Sequence, residues 1–249
     1  MPANKTDYLS FVDEIYQSDA YHSLSIEGYR VTLELIERVR GNWNPDDNEG
    51  DQKNKDALAA RGYWQAFQRV KEAVELIIGG RDAGKLVRKV HRDWYRELFQ
   101  PSVAAGLIGA AALAGYRDQP VFLRGSRHVP PRAEVLADAM PALFDLLEEE
   151  AEVPVRAVLG HWMFGYIHPY PDGNGRMARF LMNAMLASGG HPWTVIRVED
   201  RTPYLKALEA ASVDGDIAPF AKFIAERVGW SVDKADKRGE REKPSVESN

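Results

Sequence analysis

The sequence predicts a mainly α-helical protein with one small β-hairpin, and three observations lead to this fold class. Apolar residues recur at helical spacing along most of the chain. Residues 120–131 interrupt that pattern with a short β-prone run, a Gly-Ser pair and a double proline. The 249 residues are 45% hydrophobic and 28% charged, values typical of a globular protein with a substantial core.

The N-terminal part of the chain has two helical patterns separated by polar residues. Apolar spacing near 3.6 covers residues 7–39, and the polar stretch Ser18–Ser25 within it predicts a break between two helices. Residues 42–56 are polar, with a proline and a glycine, and predict an exposed loop. An amphipathic helix follows at residues 57–78, where a glycine pair predicts its end.

The rest of the chain continues the helical pattern on both sides of the predicted hairpin. The expected helices share a periodic apolar face, and they cover residues 85–99, 103–114, 133–150, 154–167, 174–188, 202–211 and 217–228. Asp216 is expected to cap the last of them. Residues 231–249 are charged and carry no large apolar residue other than valine, so we expect a disordered tail.

Composition and charge narrow the classes of function. The net charge is −5, so neither nucleic acid nor an anionic membrane is a favoured partner. Cysteine is absent, which excludes disulfides, thiolate metal sites and a cysteine nucleophile and fits a reducing compartment. The chain opens on polar residues, and its longest small-and-apolar run is too short to cross a bilayer. The sequence therefore predicts a soluble, cytoplasmic protein.

Two segments are candidates for a phosphate-binding loop. Gly79–Lys85 matches the pattern G-x-x-x-x-G-K, but Leu86 stands where a hydroxyl residue would hold magnesium. The residues before it continue a helix, whereas this motif needs a preceding strand. The first candidate is therefore expected to be a helix end with a glycine turn.

The second candidate, residues 168–179, reads His-Pro-Tyr-Pro-Asp-Gly-Asn-Gly-Arg-Met-Ala-Arg and lies between two apolar helices. Gly173 and Gly175 allow backbone conformations that turn successive N–H groups into one anion-binding concavity. The same segment opens a helix, whose free N–H groups favour a phosphate. Arg176 and Arg179 are three apart, so they share a face of that helix and are able to clamp more phosphate charge.

Two further side chains of this segment suit phosphate chemistry. Asp172 offers the hard oxygen ligand that Mg²⁺ prefers when it bridges phosphates. His168 ends the preceding helix, where a group that titrates near neutrality suits a general base. The alternative is a glycine-rich turn between helices whose arginines form salt bridges.

This segment resembles the signature of the Fic family, H-P-F-x-D-G-N-G-R-x-x-R, with Tyr170 in place of the usual Phe. Residues 122–131 look like the flap of that family, and Tyr204–Leu208 resembles a helix that follows its core. The likeness extends over residues 21–227 and implies a Fic-type helical bundle with a β-hairpin flap. The catalytic core would then occupy residues 57–230, between N-terminal helices at 1–56 and the tail.

The resemblance implies a protein adenylyltransferase, which transfers AMP from ATP to a Ser, Thr or Tyr hydroxyl of a target protein and releases pyrophosphate. In that reading His168 deprotonates the hydroxyl, Asp172 holds Mg²⁺ and Arg179 binds the γ-phosphate. Tyr204 and Ser212 belong to the adenine pocket. The residues assigned to nucleotide binding are Phe122, Leu123, Asp172, Gly173, Asn174, Gly175, Arg176, Arg179, Tyr204 and Ser212.

A second motif concerns regulation. Ser23-Leu-Ser-Ile-Glu27-Gly28 is similar to the inhibitory motif of the family, [S/T]-x-x-x-E-[G/N], and its position matches the class that carries the inhibitory helix in the same chain. Ser23 and Glu27 are four apart and share a helix face. The resemblance implies that Glu27 pairs with Arg179 and blocks it. The alternative is a helix start with a serine cap.

Other functions stay open at this point. The same fold is compatible with transfer of another nucleotide or phosphate-linked group, although the complete Gly-Asn-Gly-Arg loop favours ATP. A nucleotide-binding regulatory or scaffolding protein without turnover is a further alternative, against which the intact His168 counts. The sequence does not identify the target protein, decide between a monomer and a homo-oligomer, or say whether AMP is also removed.

Overall fold

A computed structural model describes residues 4–41 and 51–241, which form nine α-helices. Short helical turns lie at Ala110–Leu113, Ala133–Val135 and Val198–Asp200, and a π-helical turn at Ala210–Asp214. The described part of the chain contains no β-strand. The helices are α1 (Lys5–Ile26), α2 (Leu33–Arg40), α3 (Asp51–Ile78), α4 (Ala83–Ala104), α5 (Leu136–Glu149), α6 (Val153–Ile167), α7 (Asn174–Ser188), α8 (Arg201–Glu209) and α9 (Ala218–Arg241).

Helix α7 lies at the centre of the bundle and contacts α3, α4 and α6. Almost every residue along it is buried, as is expected of a helix that is covered on all sides. Its Phe180 ring packs on Tyr63 from α3, with centroids 5.1 Å apart. Helices α1 and α2 pack on α3 from the outside. The N-terminus of α7 is thereby held in a fixed position within the fold.

Side-chain caps explain where several helices begin. Asn4 accepts a hydrogen bond from the Asp7 N–H group (3.0 Å) at the start of α1. Asp82 accepts from the Lys85 N–H group (2.8 Å) at the start of α4. Asp216 accepts from the Ala218 N–H group (3.0 Å), which confirms the cap expected for the last helix.

The segment Gly79–Lys85 joins two helices, as predicted. Gly80 ends α3 with φ +94°, a left-handed conformation that favours glycine. A Cβ atom on Gly84 would lie 2.8 Å from the Leu147 carbonyl oxygen, so this glycine permits close packing of α4 on α5. The fold therefore explains the presence of both glycines without a bound phosphate.

Two helix predictions are wrong. Helix α1 continues unbroken through Ser18–Ser25, because polar residues of that stretch are buried and find partners on other helices. The chain turns instead at Gly28, where φ is +90°. The helix expected at residues 103–114 is absent: α4 ends at Ala104, Gly106 takes φ +73°, and only a single short turn follows.

The predicted β-hairpin at residues 120–131 is also wrong. Residues 121–123 belong to no helix or strand, and a turn follows at Arg124–Gly125, closed by a hydrogen bond from the Ser126 N–H group to the Leu123 carbonyl oxygen (3.1 Å). Side-chain bonds to α8 take the place of a strand ladder in holding this segment. We call residues 120–131 the flap.

The predicted tail is wrong for part of its length. Helix α9 runs to Arg241, and Ser231 and Ala235 are buried in the fold. The polar stretch 42–56 likewise contributes its last residues to α3, which begins at Asp51. Residues 42–50 and 242–249 lie outside the described residues, and the boundaries of the three regions stay predictions. None of the described helices has the length and hydrophobicity that crossing a bilayer requires, and the cytoplasmic location stays a prediction.

Candidate active site

The loop between α6 and α7 has an unusual backbone. His168 ends α6 in the left-handed region (φ 51°, ψ 59°), and it is the one residue other than glycine with positive φ among those described. Such a conformation in a residue with a side chain carries a cost and is common at functional sites. Gly173 takes φ +81° immediately before α7. Two residues with positive φ therefore fall within six residues of this loop.

Asn174 closes this loop. Its side-chain oxygen accepts from the Tyr170 N–H group (3.0 Å), and its side-chain nitrogen donates to the Tyr170 carbonyl oxygen (2.7 Å). The Tyr170 ring lies underneath, stacked on Tyr95 with centroids 3.7 Å apart. The Asn174 side chain is buried, so it shapes the loop and leaves any contact with phosphate to the backbone.

The two glycines of the loop are required by close approaches. A Cβ atom on Gly173 would lie 2.7 Å from the Phe99 ring. A Cβ atom on Gly175 would lie 2.3 Å from the Glu27 carboxylate oxygen and 3.3 Å from Nη1 of Arg179. The Glu27 carboxylate therefore lies against the N-terminal turn of α7, where free N–H groups and the helix dipole favour an anion.

Arg179 is held by the end of α1. Its Nε donates to the Ser23 hydroxyl oxygen (2.8 Å), and its Nη2 donates to the Ser23 carbonyl oxygen (3.1 Å) and to Glu27 Oε1 (2.7 Å). Nη1 is buried without a hydrogen-bond partner among the described residues. Burial lowers the pKa of Arg179, but the Glu27 carboxylate together with Tyr204 and Tyr63 more than offsets this, and the pKa is raised overall. The arginine is charged and has donor capacity left for an anion.

Arg176 lies behind the loop. Its side chain is fully buried, with the guanidinium carbon 5.2 Å from the Tyr29 ring centre and 5.0 Å from the Phe99 ring centre. Nη2 is 3.4 Å from the Asp172 carboxylate. The expected contact between Arg176 and a phosphate stays a prediction, since this side chain does not line the cavity beside the loop.

His168 has the protonation state of a general base. Its Nδ1 lies 3.2 Å from the Gly165 carbonyl oxygen, which favours the tautomer with a proton on Nδ1 and a free lone pair on Nε2. Burial lowers the pKa of His168 below the usual histidine value, so the imidazole is neutral at pH 7. Arg117 donates from Nε to the His168 carbonyl oxygen (2.8 Å) and holds the backbone of this residue.

Asp172 is the candidate ligand for Mg²⁺. One of its carboxylate oxygens accepts from the Gly173 N–H group (2.6 Å), and its side chain is 61% exposed. The described residues contain no group of three or more acidic or histidine side chains that would hold a metal by themselves. Mg²⁺ is often bound by one or two carboxylates together with substrate phosphates, so the single carboxylate fits an ion that arrives with a nucleotide.

A cavity of about 600 Å³ opens beside the loop, within the size range of small-molecule sites. Its lining includes His168, Asp172, Gly175, Arg179 and Glu27. The other wall contains the residues predicted for the adenine pocket and the flap, namely Tyr204, Ser212, Phe122 and Leu123. The structure thus brings together most of the predicted site residues, and leaves Gly173, Asn174, Arg176 and Ser23 behind the cavity wall.

Sequence reasoning missed His161 and Trp162, which also line this cavity. Nε2 of His161 lies 2.8 Å from the Tyr204 hydroxyl, and Trp162 donates to the Ser212 hydroxyl oxygen (3.1 Å). Burial lowers the pKa of His161 to about 3, so this imidazole is neutral. His161 and His168 are seven residues apart and therefore lie on one face of α6. This spacing indicates that both side chains line the same surface.

Sequence reasoning also missed Glu209, which fastens the flap. Its carboxylate accepts from the Ser126 hydroxyl and from the Arg127 N–H group (2.8 Å). These hydrogen bonds lower the pKa of Glu209. Phe122, two residues before the turn of the flap, is 79% exposed. Nothing in the local sequence pattern marks Glu209, because it lies more than 80 residues away from the flap.

Comparison with known proteins gives consistent results. The family model described as "Fic/DOC family" matches residues 84–186. The chain is 31% identical to "Protein adenylyltransferase Fic" of Nematostella vectensis, over 94% of this chain and 52% of that protein. It is also 31% identical to the protein of the same name in Drosophila willistoni, over 88% of this chain and 41% of that protein. The chain therefore spans about half the length of the curated relatives it matches.

Solved structures show the same fold. Fic-1 from C. elegans superposes with a TM-score of 0.74 at 19% identity, over 92% of this chain and 65% of that chain. A Fic-domain-containing signaling protein from Bacteroides thetaiotaomicron superposes with a TM-score of 0.71 at 22% identity, over 94% of this chain and 91% of that chain. The helical bundle predicted from the sequence is therefore confirmed as a fold class.

Proposed function

Because the chain contains a Fic/DOC family domain, we propose that it is a Fic-type protein adenylyltransferase. It would transfer AMP from ATP to a Ser, Thr or Tyr hydroxyl of a target protein and release pyrophosphate. One observation carries the proposal: a neutral His168 and the charged, buried Arg179 face one cavity across the glycine-rich start of α7. A base for a hydroxyl and a cradle for phosphates are the two requirements of this reaction.

In the proposed reaction, Nε2 of His168 accepts the proton of the target hydroxyl. The hydroxyl oxygen forms a bond to the α-phosphorus of ATP, and the bond from that phosphorus to the α,β-bridging oxygen breaks. Pyrophosphate leaves with the electron pair of the broken bond, and His168 later returns its proton to solvent. The tautomer set by the Gly165 carbonyl oxygen leaves Nε2 as the acceptor in this step.

The phosphates would lie against the backbone of residues 173–175. Free N–H groups at the start of α7 supply donors there, and Arg179 would bind the γ-phosphate with its Nη atoms. Asp172 would hold Mg²⁺, which when bound neutralises charge on the phosphates and orients them. The work of the protein in such a transfer is positioning and charge stabilisation.

The adenosine would occupy the wall formed by Tyr204 and Ser212, whose hydroxyl groups are held by His161 and Trp162. The flap, with Phe122 and Leu123 at the cavity mouth, would align an extended segment of the target. Extended backbone offers main-chain hydrogen bonds to a peptide whatever its side chains are.

Glu27 would inhibit the transfer. Its carboxylate contacts Arg179 (2.7 Å) and lies against Gly175, where the proposed pose places phosphate charge. Two anions in one place repel, so ATP would bind in this state without a productive γ-phosphate contact. Release of the Glu27 carboxylate would then start the reaction.

The test is labelling of a protein target with ATP that carries the radioactive phosphate in the α or in the γ position. The Glu27→Gly protein should incorporate label from the α position only, and His168→Ala in that protein should abolish it. His191→Ala is the matched control, since His191 is outside the cavity lining. Transfer of γ-label, or equal labelling by the His168→Ala protein, would refute the proposed function.

A further inference from the structure

A buried carboxylate lies outside the cavity, two helical turns before Glu27. Asp19 is 4% exposed and sits on α1, where it shares a face with Ser23 and Glu27 at spacings of four and eight residues. Burial of a carboxylate is costly unless it is hydrogen-bonded or paired. The proposed reaction gives Asp19 no part, so its burial requires an explanation.

Asp19 and Arg179 are each held by a hydroxyl group of a neighbouring residue. The Tyr63 hydroxyl, from α3, donates to Asp19 Oδ2 at 2.6 Å. Ser23 lies one helical turn after Asp19 on α1 and on the same face. The Ser23 oxygen accepts from Nε of Arg179 at 2.8 Å. All four residues are buried, so water does not compete for these contacts.

The direction of each hydrogen bond follows from chemistry. An arginine only donates and an ionised carboxylate only accepts. Tyr63 must therefore donate to Asp19, and the Ser23 hydroxyl oxygen must accept from Arg179. Burial raises the pKa of Asp19 to about 6, so the carboxylate remains ionised at neutral pH and keeps this order.

The arginine is thus fixed on two sides. Glu27 holds only Nη2, whereas Ser23 holds Nε on the side of α1. Nη1 remains beside Gly175 with no partner in the described part of the protein. Loss of Glu27 would free the Nη edge, while the Nε edge would stay where it is.

From this geometry we propose that Asp19 is a positioning residue for Arg179. By binding Tyr63 of α3 it fixes this part of α1, and with it the Ser23 hydroxyl that holds Nε of Arg179. The Nη edge of the guanidinium then stays turned toward the phosphate loop, both while Glu27 is in place and after it has left. The inference rests on the proposed function, because it takes Arg179 to be the group that binds the γ-phosphate. Asp19 itself touches no nucleotide.

The test measures nucleotide binding by calorimetry in a protein that carries Glu27→Gly and His168→Ala, so that no turnover occurs. Addition of Asp19→Asn or Tyr63→Phe should weaken ATP binding by about tenfold, since a hydrogen bond to a charged group is lost or weakened. ADP binding should not change, because ADP has no γ-phosphate for Arg179. Both substitutions keep the size of the side chain.

Asp13→Asn is the matched control. Asp13 lies on the same helix and pairs with Lys71 (2.5 Å) away from Arg179, so neither ATP nor ADP binding should change. A purely structural role of Asp19 would weaken ATP and ADP binding equally. That result, or unchanged ATP binding, would overturn the proposal.

The protein that carries only Glu27→Gly and His168→Ala is the reference in these measurements. Its behaviour separates this proposal from the proposed function. ATP and ADP bound equally tightly by the reference would mean that Arg179 does not bind the γ-phosphate, and the role of Asp19 would fall with it. Tight ATP binding together with no AMP transfer by the Glu27→Gly protein would refute the proposed function alone, since the calorimetric comparison does not need the reaction.

Discussion

Replacement of Glu27 by glycine should activate AMP transfer. In the structure the Glu27 carboxylate is bound to Nη2 of Arg179 and lies against Gly175. The Glu27→Gly protein would lose this contact, while Arg179 would keep both of its hydrogen bonds to Ser23. The guanidinium would then be in place to bind the γ-phosphate.

The contact distance and exposure set the size of the effect. Two unit charges about 4 Å apart interact by about 4 kcal/mol at an effective dielectric constant of about 20. The Glu27 side chain is 26% exposed, and screening by water together with desolvation reduces the net value to about 2 kcal/mol. This corresponds to a change of about 30-fold in the equilibrium between blocked and free Arg179. A complete switch from 99:1 to 1:99 would need about 5.5 kcal/mol, so we expect strong activation of an enzyme with residual basal activity.

The assay is the initial rate of α-label incorporation, including self-modification, at equal protein concentrations. Glu27→Gly should exceed wild type by at least tenfold, in line with the value above. Glu27→Asp should activate partly, because its shorter side chain keeps the charge but not the 2.7 Å contact. Glu27→Gln keeps the size without the charge and should resemble Glu27→Gly. Arg179→Ala should lower the rate of the Glu27→Gly protein, since the same arginine then serves the phosphate.

Equal rates for wild type and Glu27→Gly would refute this reasoning, and Ser23–Gly28 would then be only a helix end. A second refuting result is activation by Glu27→Gly but not by Glu27→Gln. In that case the backbone change at the end of α1, and not the loss of the ion pair, would cause the effect.

Four further predictions concern the site. His168→Ala should reduce transfer by about 10²–10⁴-fold with ATP affinity nearly unchanged, and full labelling by this variant would contradict the mechanism. Because burial lowers the pKa of His168, its base form persists to lower pH, and the acid limb of kcat/KM should lie below the usual histidine value of about 6.5; a limb above that value would count against His168. Asp172→Ala should abolish metal-dependent transfer, and activity that survives EDTA would exclude its role. Phe122→Pro removes a flap N–H group and should prevent modification of a protein target while ATP binding persists, and unchanged modification would exclude flap docking.

The sequence predicted helices correctly where local signals decide the structure. The limits of α6 and α7 agree with the predicted helices to within one residue, because Pro154 suits the first turn of α6, Gly173 and Gly189 flank α7, and both helices have apolar interiors. The break expected in α1 failed because Asp19 and Ser23 read as surface polar residues. They are stabilised by Tyr63 and Arg179, which are remote in sequence, and local patterns carry no information on such partners.

The prediction of a β-hairpin in the flap failed for a different reason. Its β-prone residues favour a strand only when another strand lies alongside to complete the hydrogen bonds. Here the side chain of Glu209 binds the Ser126 and Arg127 end of the flap, and no strand lies alongside residues 121–123. The predicted site did not depend on this detail. The motif places His168, Asp172, Gly175 and Arg179 within twelve consecutive residues, so that the geometry of one turn brings most of them together.

In the proposed mechanism, Gly175 connects inhibition to catalysis. Without a Cβ atom it lets an anion approach the first turn of α7 directly, and the Glu27 carboxylate uses that space in this structure. A phosphate in the proposed active state would use the same space and the same Arg179. The Glu27 carboxylate and the ATP phosphate would therefore both depend on the absence of a side chain at Gly175. A methyl group at this residue would exclude both anions. Regulation of this kind needs no separate allosteric site, because the Glu27 carboxylate at the end of α1 occupies the place where the phosphate would bind.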